Sequence, residues 1–233
     1  MGNQTKVICA ELDVSEVALA HHRGLLTVEE SYRAARLPTA HLRSRLVSAR
    51  VFLRLALALH LGIRPADVTI LRAGSRKPML AAPDESSRSL HFNLSHSDRI
   101  AVLAINDSTP VGIDVEKIDP NIDCDAVAKD VFSVEERASL AALPARSRLA
   151  AFVSTWTRKE AFLKGLGEGL TRQLDQFTVS TDPNEAPALL AVPFAPHLVG
   201  QWSLHTVPVG ERFAATLAVN APDTQLTLLT WEW

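Results

Sequence analysis

The 233-residue sequence predicts an α/β (α+β) fold built from two similar helix-on-sheet halves, and three observations predict it. Short stretches with strand-like alternation occur early and late in the chain. Two longer segments repeat apolar residues at helical spacing. The stretch from Asp98 to Asn106 is also echoed by that from Glu211 to Asn220, with one extra residue and an offset of 113 to 114 positions. That offset is close to half the chain, so the expected division is residues 1–117 and 118–233, with a ligand site at the seam.

Taken in order, Leu42, Leu46, Ala49, Leu53 and Leu57 mark a helix. Pro38 suits an early helical position, and Gly62 ends the run. Arg43, Arg50 and Arg54 form a stripe on one flank. Strands are predicted over residues 68–71, 90–94 and 100–105, and a turn at Pro110 leads into a strand through Asp114 and Glu116. Beyond Asp119-Pro-Asn121, helices are predicted over about residues 125–143 and 148–164, the second closed by Gly165 and Gly167. Strands return at residues 177–179, 202–207, 212–219 and 226–230.

Composition sets limits on the function. With 47% apolar residues the chain can bury a sizeable core, which excludes disorder as its dominant state. The net charge of −2 hides an uneven distribution. Residues 31–66 hold no acid but seven arginines (Arg33, Arg36, Arg43, Arg45, Arg50, Arg54 and Arg64), whereas residues 107–136 hold nine acids and only Lys117 and Lys129. That asymmetry fits an anionic ligand at one end and a cation at the other, or simply two solvated faces of opposite sign. Cys9 and Cys124 are too few for a disulfide framework, and no zinc spacing is present. The start of the chain carries Glu11, Asp13 and Glu16 and is not a signal peptide, and no apolar run could span a bilayer. A soluble, cytoplasmic protein with no membrane partner is expected.

Two segments put charge where periodicity calls for apolar residues. In Val111-Gly-Ile-Asp-Val-Glu116, strand alternation places Ile113 and Val115 on one side and Asp114 and Glu116 on the other, about 7 Å apart. Two carboxylates so placed can hold one hard cation, although Asp-x-Glu alone also suits an exposed strand face. In the second segment, helical spacing stacks Phe152 or Val153, Trp156, Glu160 and Leu163, with Lys164 one turn beyond Glu160. An unpaired buried carboxylate costs several kcal/mol, so Glu160 needs a partner: Lys164, a metal ion, or both. Convergence of Asp114, Glu116 and Glu160 would require a cation to offset their repulsion, and octahedral magnesium, which keeps waters and takes phosphate oxygens, suits them.

Asn93-Leu-Ser-His96 follows a predicted strand and could offer a hydroxyl and an imidazole to a phosphate, or could be a capping serine beside an exposed histidine. Adjacent residues on extended chain face opposite ways, so Ser95 and His96 do not form a serine-hydrolase pair. Arg76-Lys77-Pro78 after Gly74 gives a basic loop on constrained backbone. No P-loop or dinucleotide fingerprint is present, and no aromatic platform accompanies the arginines, so no nucleic-acid partner is expected.

Taken together, the chain resembles the 4′-phosphopantetheinyl transferases of the larger, surfactin-synthetase-associated type. The resemblance rests on Gly112-Ile-Asp-Val-Glu116, on Trp156-Thr-Arg-Lys-Glu-Ala-Phe-Leu-Lys164 with Gly165-Leu-Gly-Glu-Gly-Leu170, on Phe92-Asn-Leu-Ser-His-Ser97 and on Lys77-Pro78. Arg76 stands where that family usually has glycine. The resemblance implies a pseudo-dimer of two α/β halves with the active site in the cleft between them, acting as a monomer. It implies that coenzyme A is the substrate, that magnesium (or manganese) is the cofactor, and that the phosphopantetheine arm passes to a serine of an apo acyl or peptidyl carrier protein, releasing adenosine 3′,5′-bisphosphate. Carriers of fatty acid, polyketide and peptide assembly all fit, and an acidic carrier would complement the arginine-rich first half. By position, Asp114, Glu116 and Glu160 would surround the metal. Lys164 would contact the pyrophosphate, while Arg45, Lys77 with Pro78, Ser95 and His96 would hold the nucleotide phosphates. Glu160 and Lys164 would be catalytic, Glu160 as base directly or through a metal-bound water. A magnesium-dependent phosphodiesterase or nuclease, and a non-catalytic module that binds coenzyme A or a carrier, are the alternatives.

Overall fold

A computed structural model describes residues 3–71, 77–81, 90–167 and 174–233. Its strands are β1 (Gln4–Glu11), β2 (Ile70–Leu71), β3 (Met79–Leu80), β4 (His91–Ser97), β5 (Ile100–Asn106), β6 (Val111–Lys117), β7 (Thr178–Val179), β8 (Leu189–Ala191), β9 (Ser203–Thr206), β10 (Phe213–Val219) and β11 (Gln225–Thr230). Its α-helices are α1 (Glu16–Ala20), α2 (Val28–Ala35), α3 (Ala40–Leu61), α4 (Cys124–Val131), α5 (Val134–Ala142) and α6 (Ala145–Leu166).

Four layers stack as helix, sheet, sheet, helix. The first sheet has the order β11-β1-β5-β4 and the second β6-β10-β9. Along β5 both faces are buried, so its sequence is apolar throughout. Ala101, Leu103 and Ile105 meet Phe52, Leu53, Ala56 and Leu57 of α3, while Val102 and Ala104 meet Ile113, Val115, Leu217 and Val219 of the second sheet. On the far side Ala161, Phe162 and Leu163 of α6 pack against Trp202, Leu204 and Ala218. Truncating a side chain as buried as Phe52 would cost about 3 to 5 kcal/mol.

The internal echo is structural. The echoing strands are β5 and β10, each an inner strand of its sheet and antiparallel to both neighbours. Helices α3 and α6 are both 22 residues long, and each ends on a left-handed glycine, Gly62 (φ 68°) and Gly167 (φ 76°).

Several sequence expectations are corrected. Pro38 precedes the α3 N-cap, Thr39, whose hydroxyl accepts from the Leu42 N–H, so it lies outside the helix. Residues 125–143 form two helices, because Ser133 and Glu136 make a capping box that starts α5 afresh. Gly165 lies inside α6, and Gly167 alone terminates the helix. The strand expected over residues 90–94 continues to Ser97, and β1 was not anticipated. Strand β6, expected to close the first half, is an edge of the second sheet, and β11, expected in the second half, pairs in parallel with β1. Both exchanges depend on which edge offers free backbone groups, which local pattern does not record. Among the described residues, no helix is long and apolar enough to cross a membrane.

Candidate active site

Helix α6 lies directly on β6 because two glycines let it. A Cβ on Gly112 would come 2.0 Å from the Ala161 carbonyl oxygen and 2.2 Å from the Gly165 nitrogen. This approach brings Glu160 and Lys164 against the strand that carries Asp114 and Glu116. Asp114 is 2% exposed. Its Oδ1 accepts from Lys164 Nζ at 2.5 Å and from Ser95 Oγ at 2.9 Å, and Lys164 also donates to Ser95 Oγ at 3.1 Å. Its Oδ2 is buried and, among the described residues, meets no hydrogen-bond donor.

The other two carboxylates lie near enough to feel the charge of Asp114. Burial, then the neighbouring Asp114 charge, raises the pKa of Glu116 above the usual glutamate range. Glu160, 9% exposed, is raised by burial, then by Asp114, and more weakly by Glu116, with Lys164 opposing. Among the described residues, no three acids, cysteines or histidines are already disposed as a metal cage. The donor set nevertheless fits a hard cation: every candidate ligand is a carboxylate oxygen, one buried oxygen lacks a partner among the described residues, and the pKa values of two glutamates stay raised although Lys164 opposes the shift.

Cationic groups border this cluster. Lys77 donates to the Val111 carbonyl and lies against Gly167 at the end of α6. Burial pulls its pKa down to about 8. His91 is lowered by burial and by Lys77. The His96 imidazole keeps an exposed edge, yet its pKa is lowered by desolvation and then by the charges of Arg50 and Lys164. Ser95 and His96 fall within β4 rather than after it, with Ser95 buried and His96 turned outward. Ser95 thus sits with Asp114 and Lys164. Arg45 is held elsewhere, forked onto Asp13 at 2.6 and 2.8 Å and bonded to Asp98, which also pairs with Lys117 at 2.8 Å. Pro78 is described next to Lys77, whereas Gly74, Arg76 and residues 168–170 lie outside the described residues.

Sequence reasoning missed three features. Arg50, whose guanidinium lies 3.8 Å from Glu30, is the arginine that His96 senses. Ser97 bonds Glu116, and its two-residue spacing from Ser95 was the available signal. Lys159 and Glu136 form a fully buried pair, with nothing in the local string to separate Lys159 from a solvated lysine.

Two family models divide the chain. One, described as 4′-phosphopantetheinyl transferase superfamily, matches residues 110–218, and one described as 4′-phosphopantetheinyl transferase, N-terminal, matches residues 15–108. The chain belongs to the 4′-phosphopantetheinyl transferase family, and it is an enzyme that transfers the phosphopantetheine arm of coenzyme A to carrier proteins. Its sequence is similar to 4′-phosphopantetheinyl transferase HetI of Nostoc sp., with 32% identity over 209 residues covering 89% of this chain and 84% of that one. A shorter match, 43% identical over 89 residues and covering 38% of either chain, is to 4′-phosphopantetheinyl transferase Sfp of Bacillus subtilis. A solved holo-[acyl-carrier-protein] synthase of Thermotoga maritima aligns with 49% of this chain and 64% of its own, at 25% identity and a TM-score of 0.37.

Proposed function

We propose that the β6–α6 junction is the catalytic centre and that it uses magnesium, or manganese, to move phosphopantetheine to a serine of an apo acyl or peptidyl carrier protein. The single observation that carries this reading is the convergence of Asp114, Glu116, Glu160 and Lys164, with Asp114 Oδ2 unpaired. Asp114, Glu116 and Glu160 would hold the cation, which when bound neutralises charge on the non-bridging pyrophosphate oxygens.

The remaining work falls to this chain's own groups. The carrier serine oxygen attacks the phosphorus that bears pantetheine, and the bond to the second phosphate breaks, so the leaving group is adenosine 3′,5′-bisphosphate. The serine proton needs an acceptor, and Glu160, a carboxylate whose pKa is raised by burial and Asp114, suits that task. Lys164 stabilises charge on the departing phosphate, exchanging its Asp114 contact for a phosphate oxygen. Lys77, His96 and Ser95 stand where the nucleotide phosphates would lie. Arg45 would reach a phosphate only by leaving two carboxylates, so Arg50, beside His96, is the better placed arginine. One chain carries all of these groups, consistent with a monomer. The free Cys9 and Cys124 fit a cytoplasmic setting.

The test is to incubate the protein with coenzyme A, magnesium and an apo carrier and weigh the carrier intact. The expected result is a mass gain of one phosphopantetheine per carrier, with one adenosine 3′,5′-bisphosphate released, and loss of both when magnesium is chelated. Hydrolysis of coenzyme A without carrier modification would instead support a phosphodiesterase.

A further inference from the structure

Strands β4 and β6 are edges of different sheets and share no backbone ladder, yet they run side by side. The edge N–H groups of β6 are met by side chains instead. Ile113 N donates to Asn93 Oδ1 at 2.8 Å, Val115 N to Ser95 Oγ at 3.4 Å, and Lys117 N to Ser97 Oγ at 3.1 Å. Every second residue of β4 therefore supplies an acceptor to every second residue of β6, always 20 positions apart. This polar zipper closes the seam between the halves.

The chemistry of the zipper fixes a direction. A backbone N–H can only donate and an ionised carboxylate can only accept, so a hydroxyl between them must accept from the first and donate to the second. Ser97 Oγ lies 2.8 Å from Glu116 Oε2, and Ser95 Oγ lies 2.9 Å from Asp114 Oδ1. Each serine thus passes the polarity of a β6 amide to a carboxylate on the same strand, as a charge-assisted bond. Asn93 performs the seam function, and among the described residues no carboxylate follows it in the chain of bonds.

Resting on the cation reading above, we infer that Ser97 is a positioning residue: its hydroxyl, pinned by the Lys117 amide, holds the Glu116 carboxylate in the orientation that receives the metal ion. Ser97 need touch neither metal nor substrate to do this. A partner in that outer position is worth about 10- to 100-fold in metal affinity.

The experiment measures Mn²⁺ binding by electron paramagnetic resonance of the free ion, with saturating coenzyme A and no carrier. Wild type, Ser97→Ala, Ser97→Cys and Ser97→Thr are compared, with a thermal melt of each. Ser97→Ala should bind Mn²⁺ about 10-fold more weakly. Its turnover should need correspondingly more metal for half-saturation while approaching the wild-type rate at excess metal. Ser97→Thr, which keeps the hydroxyl, should bind like wild type. If Ser97→Ala does not fold, Ser97→Cys, similar in size but a poor donor, should show the same loss. Wild-type Mn²⁺ affinity in Ser97→Ala or Ser97→Cys would overturn the role of Ser97 and leave the cation site standing. Failure of the wild type to bind Mn²⁺ would overturn the cation site and the Ser97 role together.

Discussion

Helix α6 carries two lysine–carboxylate pairs that differ in exposure and in how completely their partners are satisfied. Lys159 donates to Glu136 Oε1 and Oε2 at 2.6 and 2.7 Å and to the Phe177 carbonyl at 2.5 Å, while Glu136 also accepts from Val179 N and Ser133 N. Every donor and acceptor of that pair is used. Five residues on, and so about 140° around the helix, Lys164 is 31% exposed and holds only one oxygen of Asp114, leaving the other unpaired beside two crowded glutamates. A closed pair is scaffold, and an open one is a site. The carboxylate is buried in both pairs, so what separates them is the exposure of the lysine and the unpaired oxygen of Asp114.

Breaking the closed pair should have the largest effect on stability. Lys159→Met strands a buried Glu136, and the expected loss is about 3 to 5 kcal/mol in urea unfolding. Whatever fraction stays folded should retain proportionate activity. Burial pulls the Lys159 pKa down while Glu136 resists, so neutralising Glu136 by Glu136→Gln should also destabilise the fold.

The open pair depends on the approach of α6 to β6, so Gly112→Ala tests the geometry beneath it. With a backbone oxygen 2.0 Å from the new Cβ, the helix must shift, at a cost of about 1 to 3 kcal/mol. Unlike Lys159→Met, this variant should lose activity even when fully folded, because the shift carries Glu160 and Lys164 away from Asp114. Single-turnover assays on folded protein check it.

A smaller effect concerns pH. The Lys77 pKa lies at about 8, below the ordinary lysine value of about 10.4. The folded protein therefore binds fewer protons than the unfolded chain between those values. The shift costs stability in full below about pH 8, and the cost fades as pH rises toward the unfolded value. Anion binding runs the other way, since only protonated Lys77 attracts phosphate. Coenzyme A affinity should fall as pH rises from 7 to 9, and Lys77→Met should remove that part of the slope. Calorimetric titration in matched buffers reads both profiles, and an identical slope in the variant would contradict the role of Lys77.

The sequence made the open site legible because charge interrupted two periodic patterns at once, at Asp114 with Glu116 and at Glu160 with Lys164. The echo between β5 and β10 was legible because inner strands buried on both faces leave apolar runs. Edge exchange by β6 and β11, and the serine zipper between β4 and β6, depend on tertiary placement of free backbone groups and leave no local trace. The same limit separated Arg45 from Arg50. Five residues apart on α3, they leave the helix in directions about 140° apart, and nothing in an acid-free stretch says whose charge acts on His96. Lys159 was hidden because its partner, Glu136, comes from another helix.

The most direct test of the contrast between the closed pair and the open site uses two residues of that site, Glu160→Gln and Lys164→Met, and their double variant beside wild type, with thermal melts and single-turnover rates on an apo carrier. Lys164 is 31% exposed, so the open site admits water or the cation around the survivor, and all three variants should melt much closer to wild type than Lys159→Met. Turnover should fall at least about a hundredfold in each single, as expected for loss of a proton acceptor at Glu160 and of charge stabilisation on the departing phosphate at Lys164. The double should be little worse than the worse single, because residues acting as a unit are not additive. If instead the singles melt early and keep proportionate activity when folded, Glu160 and Lys164 are scaffold like Lys159 and Glu136, and the catalytic centre lies elsewhere.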